Sequence, residues 1–199
     1  MKKVFALSLA TLLALQAVAA PTTFKIVGEK LSYRNLATVE SQSDFETFTG
    51  KTNNVSGAIT YDPKTKTGGG TVVIDVASID TGIPTRNEHM KSEGWMNAAK
   101  FPTIEFTATK VSAGKDGKYK VVGKLTLHGV TKVVTGTAKI NYREEGDATK
   151  KAGFSGSVIQ LSASVAVKLS DFGIAIPDFV KGKVANDVTL GVSAYAVDK

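Results

Sequence analysis

Cysteine is absent from the 199-residue chain, and histidine occurs only twice. Without cysteine there is no disulfide, no thiolate-bound zinc, no iron–sulfur cluster, no thiol nucleophile and no lipid-modified N-terminal cysteine. The two histidines, His89 and His128, stand 39 positions apart, and neither has a second histidine at i+2 or i+4. There is no HExxH motif and no acidic calcium loop, so a metal site would have to be assembled across the fold. Charge of one sign is in modest excess, 25 Lys+Arg against 18 Asp+Glu, which says little about partners. Long apolar runs are missing too, with one exception at the N-terminus.

That exception is Val4 to Val18, interrupted by Ser8, Thr11 and Gln16 and preceded by Lys2 and Lys3. Ala17-Val18-Ala19 is a small-x-small cleavage site. The run is short for a membrane span, so residues 1–19 read as a secretory signal peptide and residues 20–199 as one exported domain, periplasmic or secreted. Cleavage after Ala19 keeps Pro21 away from the cut. The remainder has 23 basic and 18 acidic residues, net +5. An exported chain without cross-links relies on packing for its stability.

What is abundant is Val, Thr, Ile, Ala and Ser, punctuated by turn residues at short intervals, the signature of a β protein. Leu31–Val39 reads as a first strand, Val55–Tyr61 as a second, and Thr71–Val76 as a third with Val72, Ile74 and Val76 on one face. After Pro102, Ile104, Phe106 and Ala108 alternate with Thr103, Glu105 and Thr107. Tyr119–His128 and Val130–Tyr142 form a hairpin turning at His128-Gly129. Ser157–Leu169 and Asp187–Val197 alternate most cleanly, and Arg143–Lys151 reads as a charged, solvated loop. The stretch Thr85–Met96 (TRNEHMKSEGWM) breaks the alternation and reads as a short helix or two turns, with Thr85 and Glu88 as a capping box. No repeat or low-complexity linker divides the chain. The expectation is an all-β fold: about eight antiparallel strands closed as a barrel or stacked as a sandwich, with a helical insertion near residues 85–96.

Catalytic motifs are thin. Gly153-Phe154-Ser155-Gly156-Ser157 lacks the final glycine of GxSxG and precedes a strand instead of a helix. Gly68-Gly69-Gly70 is followed by no Lys-Ser/Thr and opens no helix, so it is not a phosphate loop. Asp75, Glu105 and Asp171 are scattered, and no carboxylate pair is set by spacing. Lys110, Lys115, Lys118, Lys120 and Lys124 crowd one stretch, but only Tyr119 is interleaved with them. They read as a lysine-protected sheet edge, with no nucleic-acid partner. An anionic lipid surface is the lesser alternative for them.

The order of the remaining landmarks is specific. Arg86-Asn87-Glu88-His89-Met90-Lys91-Ser92, Phe101-Pro102-Thr103-Ile104-Glu105-Phe106 and Leu125-Thr126-Leu127-His128-Gly129-Val130-Thr131-Lys132 follow one another, then Ser170-Asp171-Phe172-Gly173-Ile174. Together they resemble the YceI-like, polyisoprenoid-binding family of bacterial periplasmic and secreted proteins, over most of the chain. The resemblance implies an extended lipocalin-like antiparallel β-barrel. It also implies an elongated apolar cavity for a long-chain isoprenoid or related amphiphile, often a homodimer, and no established catalytic residues. Many relatives carry a Phe-x-x-x-His segment near the first strands. Here Leu31–Gly50 has no histidine, so a head-group contact from that residue has no counterpart.

On this reading no cofactor is required and the ligand is a polyisoprenoid-type lipid, with no stable membrane insertion. The inward faces offer Ile74, Phe106, Leu125, Leu127 and Leu161 as ligand contacts, because an isoprenoid tail needs apolar walls without polar partners. The same side chains would serve equally as filled core. Trp95 and Phe101 fall where a barrel mouth or lid would be, Phe172 is a second rim candidate, and Arg86 and His89 lie one turn apart where they could face a head group or pair with an acid. A stress-linked interaction protein with a filled core, and an enzyme using His89 or His128, are the alternatives.

Overall fold

A computed structural model describes residues 21–114 and 117–199; the leader reading of residues 1–19, and Lys115 of the lysine stretch, fall outside the described residues. Ten strands are present among the described residues: β1 (Thr22–Ile26), β2 (Leu36–Gln42), β3 (Thr47–Thr52), β4 (Val55–Asp62), β5 (Thr67–Asp75), β6 (Thr103–Ala113), β7 (Tyr119–Leu127), β8 (Val130–Arg143), β9 (Val158–Lys168) and β10 (Asp187–Val197). All pairings between them are antiparallel, in the order β1-β4-β5-β6-β7-β8-β9-β10, and β1 also pairs with β10. Eight strands thus close into a barrel, as expected. The two remaining strands, β2 and β3, form a hairpin outside that ring; β2 overlaps the strand expected at Leu31–Val39, while β1 and β3 have no counterpart in the sequence pattern.

The hairpin attaches at a fork. β10 gives the C-terminal end of one edge to β1 (Lys25↔Val197, Ile26↔Ala196) and the rest of that edge to β2 (Leu36↔Ser193 to Ser41↔Val188). Asn35 fills the crotch and is fully buried. Its Nδ2 donates to the Val27 carbonyl (2.6 Å) and its Oδ1 accepts from the Tyr195 N–H (3.1 Å), so backbone groups just beyond β1 and on β10 are satisfied. The first strand expected at Leu31–Val39 is corrected accordingly. Glu29–Arg34 is a 3-10 turn, because the chain must leave β1 before it re-enters the sheet as β2.

The β7–β8 hairpin turns where expected. His128 (φ 52°) and Gly129 (φ 73°) supply the two left-handed positions of a tight turn. A Cβ on Gly129 would also lie 2.5 Å from the Phe101 ring, so glycine is required there twice over. β8 and β9 pair only between Thr137↔Ser164 and Arg143↔Val158. Beyond that level the strands part, and the turn Leu169–Phe172 packs against both of them. Three further readings are corrected. β7 lies inside the wall, paired to β6 and β8, so its lysines are solvated on an outer face and protect no edge. Arg143–Lys151 contains a short helix, α2 (Asp147–Lys151). The insertion is a helix, α1 (Pro84–Lys91), followed by turns, and its N-cap is Ile83 with Pro84 at the first position. Proline's fixed φ starts the helix one residue before Thr85, so the capping box does not form.

Candidate functional site

The inward face of every barrel strand is apolar, and it does not fill the interior. One chamber, a cavity of about 130 Å3, is lined by Ile59, Val72, Ile74, Phe106, Val121, Leu125, Ile140, Leu161, Val165 and Val192. Its lining reaches two places where neighbouring strands are unpaired. Lys66, Gly68 and Gly69 of the β4–β5 arm face Val111 and Tyr119 there, and Gly136 meets Ser164 at the level where β8 and β9 part. The polar groups inside are few. Tyr61 is buried, and burial, with a hydrogen bond to Tyr119, pushes its phenol up to about 12.

A second chamber lies under α1, a cavity of about 310 Å3. Its walls are Val39 and Phe48 of the branched hairpin, Leu127, Leu169, Ile174 and Val188 of the barrel, Met90, Trp95 and Met96 of the insertion, and Ile83, Phe179, Val180 and Val184 at the rim. Ile104 and Leu190 border both chambers and form the waist between them.

Local contacts explain how α1 comes to cover this end. Lys51 of β3 and Asp80 exchange backbone hydrogen bonds (2.8 and 2.9 Å). Asn87 then accepts from the Thr81 N–H and hydroxyl (2.8 and 2.7 Å) and donates to Asp80 (2.6 Å). The Asn87 amide, with the Gly82 N–H, holds the Asp80 carboxyl below the usual carboxylate range. Arg86 forms an ion pair with Glu46 and stacks 4.2 Å over the Phe48 ring, which joins the helix to β3.

The sequence-predicted contacts separate cleanly by place. Ile74, Phe106, Leu125 and Leu161 line the first chamber; Leu127, Arg86, His89 and Trp95 line the second. Two are corrected. Phe101 lies outside both linings and packs edge-on to His128 (4.6 Å) beneath the β7–β8 turn. Phe172 is no rim residue: it is 1 % exposed in the core at the parted strands, where its carbonyl contacts His128 Nδ1 (3.2 Å). His128 is therefore a structural residue of the turn. The acid paired to Arg86 is Glu46. Glu46, Phe48, Tyr61 and Phe179 were missed as site residues; Glu46 lies in the turn before β3, and the six-residue β3 is too short for alternation to reveal the face that carries Phe48. Among the described residues no group of three or more His, Cys, Asp or Glu side chains could hold a metal, and no helix is long and apolar enough to cross a membrane.

A closed eight-stranded antiparallel barrel with an unfilled apolar lumen is the architecture of small barrels that enclose an apolar ligand. The model of the YceI-like domain family matches residues 30–196, and the chain belongs to that family. It is 31 % identical over 177 residues to a UPF0312 protein of Vibrio vulnificus, covering 88 % of this chain and 89 % of that one. With a UPF0312 protein of Yersinia enterocolitica it shares 37 % over 150 residues, covering 74 % and 72 %. Among solved structures it is similar to Burkholderia cenocepacia BcnA, with a TM-score of 0.70, 21 % identity, and 83 % and 98 % coverage. It is likewise similar to the Campylobacter jejuni YCEI protein, with a TM-score of 0.61, 27 % identity, and 73 % and 81 % coverage. A polyisoprenoid binding domain from Saccharophagus degradans, implicated in plant cell wall breakdown, shares the fold with a TM-score of 0.57 at 16 % identity over 89 % and 98 % of the chains.

Proposed function

We propose that this protein is an exported, non-enzymatic lipid-holding barrel. Its two-chambered lumen takes the tail of a long-chain polyisoprenoid or a similar amphiphile, such as a quinone or fatty-acid derivative, and its role is sequestration or carriage in the periplasm or outside the cell. The observation that carries the reading is the lumen itself. Its walls are mostly aliphatic and aromatic, from Tyr61 in the first chamber to Trp95 in the second, and the charged side chains Glu46, Arg86 and Lys183 belong to the second. A long unbranched or prenyl chain offers no hydrogen bonds, so a wall with few donors and acceptors suits it and disfavours a polar metabolite. The name of the Saccharophagus domain points the same way. The N-terminal run Val4–Val18 supports export.

The test is native mass spectrometry of the purified protein, followed by organic extraction and lipid identification. The expected result is one stoichiometric long-chain lipid per chain. A ligand-free mass, together with no uptake of prenyl lipids, quinones or fatty acids in a titration, overturns the reading. The same spectrum reports whether the protein is the homodimer that the family resemblance led us to expect.

A further inference from the structure

Six large hydrophobic residues are exposed on the described surface, and three of them stand at one place. Ile83 and Phe179 are 43 % and 76 % exposed and both line the rim of the second chamber. Phe45, at the tip of the β2–β3 hairpin, is 83 % exposed. It is held beside that rim because its N–H and the Ser43 hydroxyl both donate to the Gly182 carbonyl (3.0 and 2.8 Å). Its ring covers Gly182, where a Cβ would approach it to 2.8 Å. Isolated exposed apolar side chains are ordinary; three fixed around the mouth of an apolar chamber are not.

We infer that this end of the barrel is a membrane-docking face: Phe45, Ile83 and Phe179 insert into the interfacial layer of an anionic bilayer, and the second chamber opens on the acyl region. Continuity of the patch with the lumen selects a bilayer over a protein partner. A prenyl or acyl tail that leaves a membrane for this chamber need never cross water if the mouth is seated in the headgroup layer, which removes the hydration cost of the exposed tail. The charge supports an anionic surface. Without Lys2 and Lys3 of the leader the chain has 23 basic and 18 acidic residues, net +5, and the Lys181-Gly182-Lys183 turn lies beside Phe179. Asp178 neutralises Lys181 and Glu46 neutralises Arg86, while Lys183 has no ion-pair partner among the described residues. The inference rests on the lipid-holding reading only for the purpose of docking; vesicle binding itself is measured without cargo.

The experiment is flotation of the purified protein with vesicles of phosphatidylcholine and phosphatidylglycerol in equal parts, and of phosphatidylcholine alone. Light-scattering chromatography reads self-association in parallel. Binding is expected to the anionic vesicles and to weaken with salt. It should fall by about tenfold or more in the Phe45→Ser/Phe179→Ser double variant and severalfold in Lys183→Glu. Val133→Ser, a control at a side chain 70 % exposed on β8, should bind unchanged. Circular dichroism verifies that each variant is folded. Absence of vesicle binding, or a double variant that binds like the parent, overturns the inference. So does a parent that self-associates through this face, with the double variant monomeric and neither bound to vesicles. Failure here with a lipid still found on extraction leaves the lipid-holding reading standing; the converse result separates the two as well.

Discussion

Substitution of Ile104 by alanine probes the lumen most directly. Ile104 is 3 % exposed, sits on β6 opposite Ile74 of β5, and borders both chambers. Truncation of a buried isoleucine costs about 2–5 kcal/mol, the upper values belonging to sites surrounded on all sides by packed atoms. Ile104 already borders empty space along the lumen, so part of its surface has no neighbour to lose, and the expected cost is about 2–3 kcal/mol. At about 2–4 °C per kcal/mol for a domain of this size, the melting midpoint should fall by about 4–12 °C. The same change widens the waist and joins the chambers, so the lipids extracted from the variant should shift to longer chains. The assay pairs thermal unfolding by circular dichroism with mass spectrometry of the extract. A fall of more than about 15 °C with an unchanged lipid profile would mean that Ile104 is ordinary filled core and that the chambers do not act as one channel.

Other outcomes follow from particular contacts. Asn35→Leu removes the partners of the buried Val27 carbonyl and Tyr195 N–H, and should cost about 2–5 kcal/mol in denaturant titration, with β1 exchanging its amide hydrogens faster. Phe172→Ala should cost about 3–5 kcal/mol and, where the protein remains folded, leave the bound lipid unchanged, because the ring closes the wall and does not line the lumen. Tyr61 has a folded-state pKa of about 12 against an ordinary 10, so the folded protein holds its proton longer than the unfolded chain. Its contribution is complete below pH 10 and is lost as pH rises towards 12, by about 1–3 kcal/mol. Tyr61→Phe should therefore show a shallower alkaline loss of stability than the parent between those limits. Arg86→Ala should loosen α1, seen as faster amide exchange over Pro84–Lys91, and cost about 1 kcal/mol, since the pair with Glu46 is half exposed and much of the contact is the stack on Phe48.

The barrel wall was legible because period-two alternation survives wherever a strand has one face in the lumen and one in water. β9 and β10 show it along their length, and their observed bounds differ from the expected ones by a residue or none. It failed at the N-terminus for a physical reason. β1 and β3 are five and six residues long, too short for a pattern, and Asn35, which decides where β1 gives way to β2, acts through three-dimensional hydrogen bonds that no local period encodes. Four of the five inward contacts, Ile74, Phe106, Leu125 and Leu161, fall in one chamber, and Leu127 falls in the other. Alternation gives facing, and a barrel has one inside. Phe101 and Phe172 were misplaced because a large apolar side chain in a loop can plug a mouth or seal a wall, and only the parting of β8 from β9 distinguishes these. Trp95 and Arg86 both line the second chamber, and the ion-pair partner of Arg86 is Glu46 in the β2–β3 turn, outside any helical spacing.

The fork on β10 divides the molecule into a part that must be kept and a part that can drift. The second chamber takes Val39, Ser41, Glu46 and Phe48 from the hairpin; the first takes no residue from β2 or β3. A change in the length of the 43–46 tip, or in the inward side chains of that hairpin, reshapes one compartment while the hydrogen-bonded ring of eight strands stays intact. Cargo preference can therefore diversify between lineages at residues 36–52 without re-solving the folding problem, much as exchangeable loops diversify binding on other rigid scaffolds.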